Sequence, residues 1–302
     1  MKSSLHQLIL ALRDRIQTGE KPPKMKQQCK MARTGQKDLA IAWQAAMILE
    51  GRRKVLTSSQ TKLDKAQAEG TGYMNRGLTL SPADEARAYL WPKFTTCPGA
   101  TDVCTEMCVG SKQGQGKLSS SEIARIGRTV AYYVDSARWW QWYDLELSHS
   151  ARQAAILGYK LAMRVNVASD NTWLAEESAR RHPTVTHYDY SVIPAAVRRP
   201  NGVHRVYSRK DGRDKMTLKM LNEGHGVAVV FDVNPRKKKN ELGEKVHDAL
   251  PATWNGYPVI DGDLHDLWFL QAEHIDGPFV VGLRSKGTNA QREDARFKGF
   301  SV

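Results

Sequence analysis

The chain has 302 residues, 41% of them apolar, with a formal net charge of +13. That length holds one large core, or one core with a smaller appended segment, and no run approaches the roughly 20 apolar residues that span a bilayer. A helical membrane span is excluded. The four cysteines and the lack of signal-peptide flanks lead us to expect a soluble protein of a reducing cytoplasm, where clustered thiols hold metal or do redox chemistry more often than they pair.

Taken in chain order, the first segment is basic. Residues 1–60 carry twelve Lys or Arg against four acidic residues. Leu5, Leu8, Ile9, Leu12 and Ile16 recur at helical spacing and predict a helix over 5–16, which Lys21-Pro22-Pro23-Lys24 breaks. A second helix is expected over 38–49, stopped by Gly51 and followed by Arg52-Arg53-Lys54. Residues 1–55 therefore read as a basic helical extension. Its charge is the footprint of a chain that meets phosphate backbones, so DNA or RNA is the expected partner, with a solvated basic surface as the alternative.

Beyond a polar, turn-rich stretch over 57–73, a short strand is expected over 77–82, and the chain then enters a cysteine loop. Ser119-Ser-Ser-Glu122 reads as a capping box opening a helix that continues to about 158, with a break near Ser148. Its aromatics, Tyr132, Tyr133, Trp139, Trp140, Trp142 and Tyr143, suit core packing better than base stacking. From there β-branched runs predict strands over 161–167, 185–190, 203–207, 226–233, 257–261 and 279–283. With the strand before the cysteines this makes an α/β domain over 56–302, a partial or distorted parallel β/α barrel. No Gly-x-Gly-x-x-Gly turn of a dinucleotide fold follows any strand.

The one cluster that demands chemistry is Cys97-Pro-Gly-Ala-Thr-Asp-Val-Cys104-Thr-Glu-Met-Cys108. A closed zinc site wants four protein ligands, whereas a cubane held by three thiolates leaves one iron open. Cys97, Cys104 and Cys108 are therefore expected to bind a 4Fe-4S cluster. Zinc completed by a histidine or by Cys29, or three unmetallated thiols, are the other readings; the basic neighbours of Cys29 mark it as a bystander in an exposed loop. Functional residues of a β/α barrel gather at the carboxyl ends of its strands. Lys62, Arg164, Arg209, Lys210, Arg284 and Lys286 are expected either to cradle an anionic ligand there or to be solvated charges. Asp261, Asp263, His265 and Asp266 crowd another strand end and read as a divalent-metal or proton-transfer site, with Asp261 and His265 as its pocket candidates and Asp263 as the cap of a helix over 264–271. No hydrolase triad, Gly-Lys-Ser/Thr loop or His-Glu-x-x-His helix is present.

The order strand, three-cysteine loop, helix, strand ending in Ser169-Asp170 resembles the start of a radical S-adenosylmethionine barrel. The spacing differs, being Cys-x6-Cys-x3-Cys here against Cys-x3-Cys-x2-Cys in that family, and the glycine-rich segment that holds the cofactor's amino group is missing. By position, Ser169 and Asp170 stand in for it. That resemblance implies S-adenosylmethionine as a second cofactor. A wider match, over about residues 56–300, is to a phage-encoded family known as gene product eighty-eight. It is carried by Thr61-Lys62, Gly72-Tyr73, Leu80-Ser-Pro82, the cysteine loop, Ala124-Arg-Ile126 with Arg128-Thr129, Arg164-Val-Asn166 with Ser169-Asp170, Val259-Ile-Asp-Gly-Asp263 with His265-Asp266, and Gly282-Leu-Arg-Ser-Lys-Gly287. The phage resemblance implies residence in the cytoplasm of an infected bacterium.

Two functions follow. One is an iron-sulfur enzyme whose open iron faces a radical-type barrel mouth, with Asp170, Asp261 and His265 as catalytic candidates and a nucleic acid or nucleotide as substrate. The other is a nucleic-acid-binding or host-modulating protein without turnover, in which the metal is a structural clip.

Overall fold

In the computed structural model, the structure describes residues 3–57, 66–67, 69–236, 238–239 and 245–302. The N-terminal segment forms three helices. In α1 (Ser3–Gln17) the stripe Leu5, Ile9, Leu12 and Ile16 is buried, as its spacing requires. The basic stretch read as an exposed loop is instead a helix, α2 (Met25–Arg33), which begins directly after Pro22-Pro23 and whose entry is held by Gln27 Oε1 accepting the Lys24 N–H (2.7 Å). In α3 (Lys37–Leu49) every residue from Ala40 to Leu49 is buried. A helix apolar on all sides belongs inside a molecule. The buried side chains of α1 and α3 belong to one core cluster with those of the first strands, and Met31 of α2 packs against it.

A large sheet follows. Strands β1 (Tyr73–Gly77), β2 (Lys160–Arg164), β3 (Thr186–Ser191), β4 (Val203–Ser208) and β5 (Val227–Phe231) pair in sequence order. The hairpin strands β6 (Lys238–Lys239) and β7 (Lys245–Val246) stand apart from it. Then β8 (Thr253–Trp254), β9 (Tyr257–Asp261) and β10 (Val280–Arg284) complete the order β1-β2-β3-β4-β5-β10-β9-β8. All pairings in it are parallel except β8 with β9. The α/β class and a mostly parallel sheet are present as expected, with six of the seven expected strands in place and the first shifted to Tyr73–Gly77. Its last parallel strand in the chain, β10, lies between β5 and β9.

The helix expected over 119–158 is two helices, α5 (Ser119–Val134) and α6 (Ser136–Ile156), preceded by the short α4 (Asp102–Glu106). The break is at Asp135, whose carboxylate accepts the Arg138 N–H (3.0 Å), and not near Ser148. No capping box forms at Ser119: Leu118 is the cap residue without a side-chain bond, and Glu122 accepts from Lys37 Nζ (2.6 Å) instead. The strand expected over 77–82 ends at Gly77. The aromatics pack inward as expected, with Trp139 and Tyr143 fully buried and stacked at 5.2 Å. Helices α7 (Thr172–Arg181), α8 (Pro194–Arg198), α9 (Asp214–Asn222), α10 (Trp268–Ala272) and α11 (Asn289–Phe297) alternate with the later strands. No helix among the described residues is long and apolar enough to cross a membrane.

Strand periodicity builds the site. Side chains two apart share a face of a strand, so Ala162, Tyr188, Val206, Ala228 and Val281 form one packed layer, closed by Leu267, Trp268 and Phe269 around the start of α10. Two residues further along each strand come Arg164, Tyr190, Ser208, Val230 and Leu283. This second layer is the floor of a cavity.

Candidate functional site

The cavity has a volume of about 860 Å³ and lies at the carboxyl ends of the parallel strands. All three clustered cysteines line it. Cys104 is carried on α4, which Thr101 caps by accepting the Cys104 N–H (3.1 Å), while its hydroxyl donates to Asp211 beyond β4 (2.5 Å). Gly110 lets the loop close on the turn after β2: a Cβ there would stand 2.5 Å from Ala168 Cβ, and 3.5 Å from Cys108 Sγ. The cysteine loop is thus pinned on both sides of the mouth.

None of the cysteines is in a disulfide. Cys97 Sγ accepts the Ala83 N–H (3.2 Å). Burial pushes the Cys97 thiol up to about 11, against that hydrogen bond, and the nearby Asp170 and Cys108 push the same way. Burial also raises Cys104, partly offset by the Lys210 ammonium. Among the described residues no three His, Cys, Asp or Glu side chains gather closely enough to hold a metal ion. Cys29 lies on α2 and does not line the cavity.

The turn after β2 is organised by Asn166. Its Oδ1 accepts from Ser169 Oγ (2.8 Å) and the Asn171 N–H (3.0 Å), and its Nδ2 donates to the Asn171 carbonyl (3.0 Å) and to Asp189 Oδ2 (2.5 Å). That network presents Ser169 and Asp170 to the cavity. Asp170 is 7% exposed; its Oδ2 accepts the Val192 N–H (2.9 Å), and its Oδ1 is buried without a hydrogen-bond partner. Burial raises the Asp170 carboxyl, with the Val192 N–H and Ser191 hydroxyl opposing. Asp189, fully buried behind it, is raised to about 7 by burial, opposed by Arg164 and Asn166.

The basic wall contains most of the cations expected there. Arg164 donates to both Asp266 oxygens (3.1 and 2.9 Å) and lies 4.5 Å over the Tyr190 ring; Tyr188 donates to the same carboxylate (2.9 Å). Arg284 grips Asp261 through two nitrogens (2.7 and 2.9 Å), and Lys286 pairs with Asp263 (3.2 Å). Lys210 reaches the cavity with Ser208 Oγ as its bond (3.1 Å). Arg209 faces elsewhere, donating to Asp214 and to the Gly299 and Phe300 carbonyls. Asp263 does not cap a helix: its Oδ2 accepts the Arg284 N–H (2.8 Å), and α10 starts at Trp268. Asp261 and His265 sit beside the wall and not on the cavity surface. Lys62 lies outside the described residues.

Sequence reasoning named Asp189 among the polar residues at strand ends but missed Tyr190 as a contributor, and met Arg128 only among the residues of the family resemblance. Tyr190 occupies a strand already recognised, where alternation alone puts it on the Arg164 face. Arg128 lies inside a helix that reads as core.

Comparison with known proteins comes to one finding. The family model described as Gene product 88 matches residues 54–299. No curated protein and no solved structure matches the chain.

Proposed function

The chain belongs to the gene product 88 family, and from that premise we propose that it is an iron-sulfur protein whose three thiols, Cys97, Cys104 and Cys108, hold a 4Fe-4S cluster at the mouth of the cavity. The observation that supports this reading is that three half-buried thiols from one loop, none in a disulfide, open on a single cavity at the carboxyl ends of parallel strands. The donor set fits the group. Each thiolate of a cubane bonds its own iron, so the thiols need not converge on one point, as they must around a single zinc ion at about 2.3 Å. Bound there, the cluster supplies an electron to a ligand at its open iron.

The residues around it bind and orient. Asp170 offers an unsatisfied carboxylate oxygen to a donor, such as the amino group of an amino acid moiety, and Ser169 stands beside it. A protonated amine there draws Asp170 back to its ionised form. S-adenosylmethionine meets that description and is the cofactor we propose. Anaerobic purification with iron, sulfide and zinc analysis tests the reading. About four irons and four sulfides per chain, lost in Cys104→Ala, support it; stoichiometric zinc without sulfide sinks it. Formation of 5′-deoxyadenosine on reduction then separates a radical enzyme from a metal-clipped binding protein.

A second reading, nucleic-acid binding in the host cytoplasm, is favoured by one surface. Lys21, Lys24, Lys26, Lys30 and Arg33 are all exposed on or beside α2, and residues 21–37 contain no acid. Replacing Lys26, Lys30 and Arg33 with Gln is expected to lower the salt dependence of oligonucleotide binding by about 0.9 in log-log slope per lost phosphate contact. An unchanged slope removes α2 as the contact surface.

A further inference from the structure

Every guanidinium in the cavity wall has a carboxylate except one. Arg125 is held by Glu85, Arg164 by Asp266 and Arg284 by Asp261. Arg128 makes no hydrogen bond or ion pair among the described residues, and its Nε is sealed from solvent without a partner. The acid whose field reaches it, Glu146, is committed to the Val55 and Leu56 N–H groups (2.8 and 3.0 Å). Burial lowers the Arg128 guanidinium to about 10. An uncompensated cation of this kind is costly to keep.

The space before it is clear. Helical side chains lean toward the helix start, so the Arg128 head lies over the turn of Ala124, with Ser120 and Ser121 next along the same cavity wall. These small side chains leave room for a ligand group, and two carry hydroxyls. The first turn of α5 has no side-chain cap, so its N–H groups face that end unclaimed. Across the cavity Lys210 has no carboxylate partner either, while Asp170 Oδ1 lacks a donor. The volume of about 860 Å³ is far more than an inorganic anion fills and falls within the range of small-molecule sites.

We infer that the Arg128 end of the cavity binds the phosphate of a small phosphomonoester of nucleotide size, independently of what the thiols hold. The guanidinium fork and the serine hydroxyls of α5 take the phosphate oxygens, and the rest of the molecule runs toward Lys210.

Thermal unfolding of the full chain tests this with three probes: adenosine 5′-monophosphate, inorganic phosphate and adenosine. The monophosphate is expected to raise the melting temperature saturably and inorganic phosphate more weakly, with adenosine inert. Arg128→Met should melt at or above the wild type without phosphate, because an unpaired, half-buried cation has gone, and should bind the monophosphate on the order of tenfold or more weakly. If Arg128→Met does not fold, Arg128→Lys, which keeps the charge but loses the fork, should weaken binding by calorimetry. No saturable shift, or an equal one in the Arg128 variant, overturns the inference. So does a shift lost in Lys26→Gln/Lys30→Gln, which assigns phosphate to α2, or binding of an oligonucleotide but not the mononucleotide. Monophosphate binding that persists in metal-free Cys104→Ala keeps this site separate from the fate of the cluster.

Discussion

Asp170 and Asp189 are carboxyl groups close enough for the charge of one to raise the other, and both are held toward the neutral form mainly by burial. For Asp189, raised to about 7, the folded state keeps a proton that the unfolded chain has released. Stability from this group is full below the ordinary aspartate range and drains away as pH rises to about 7, by at most about 1.4 kcal/mol per pH unit. Urea unfolding of Asp189→Asn should therefore show its stability relative to wild type improving between about pH 4 and 7 and level above that. A constant offset contradicts the shift. Cys97 obeys the same rule: in metal-free protein its alkylation should climb about tenfold per pH unit up to about 11, and a plateau near pH 8 would mean an exposed thiol. That Cys97, Cys104, Cys108, Ser169, Asp170, Arg164, Arg284 and Lys286 would come together was legible in the sequence, for all of them line one cavity. Arg128 was not, because a charge becomes informative only when its neighbours are known to leave it unpaired.

At the scale of elements, the tightest contact is between α3 and α5. A Cβ at Gly127 would stand 2.4 Å from Gln44 Cγ and 2.7 Å from its Cβ. Gly127→Ala gains helix propensity of under about 1 kcal/mol but must push the helices apart, an overpacking cost of about 1–3 kcal/mol. Net destabilisation in chemical unfolding is the expected result; a gain in stability would show that Gln44 yields freely. The positions of β3, β4, β5 and β10 were legible from β-branched runs because these strands carry buried residues on both faces. The α5–α6 break was not, since Asp135 and Ser148 are both polar interruptions and only tertiary ties choose between them. Asp135 also accepts from Arg13 of α1 (3.1 Å). The capping box at Ser119 failed for a similar reason: Glu122 found Lys37 on α3.

For the whole molecule, the charge of residues 1–55 hid their packing. Composition made them look detachable, yet Leu5, Ile9, Leu12, Ile16 and the length of α3 belong to the same buried cluster as Met163 and Val165 of the β2 region. Deleting residues 1–55 strips those apolar side chains from the faces of α5 and α6. The remainder is expected to be insoluble or to bind a hydrophobic dye, and a soluble, cooperatively melting fragment would contradict the shared core. The test of the basic surface therefore has to be made by substitution on α2. The sheet order escaped sequence reading altogether, because periodicity places strands without saying which are neighbours.

That order also sets a schedule. Synthesis delivers the cysteine loop before most of the sheet, whereas β10, which fills the gap between β5 and β9 and brings Arg284 and Lys286 to the rim, is made after every other described strand of that sheet. Until it arrives the half-built pocket stands open on one flank with its thiols accessible. A nascent chain stalled short of β10 should therefore expose Cys104 and Cys108 to modification far more than the released protein does.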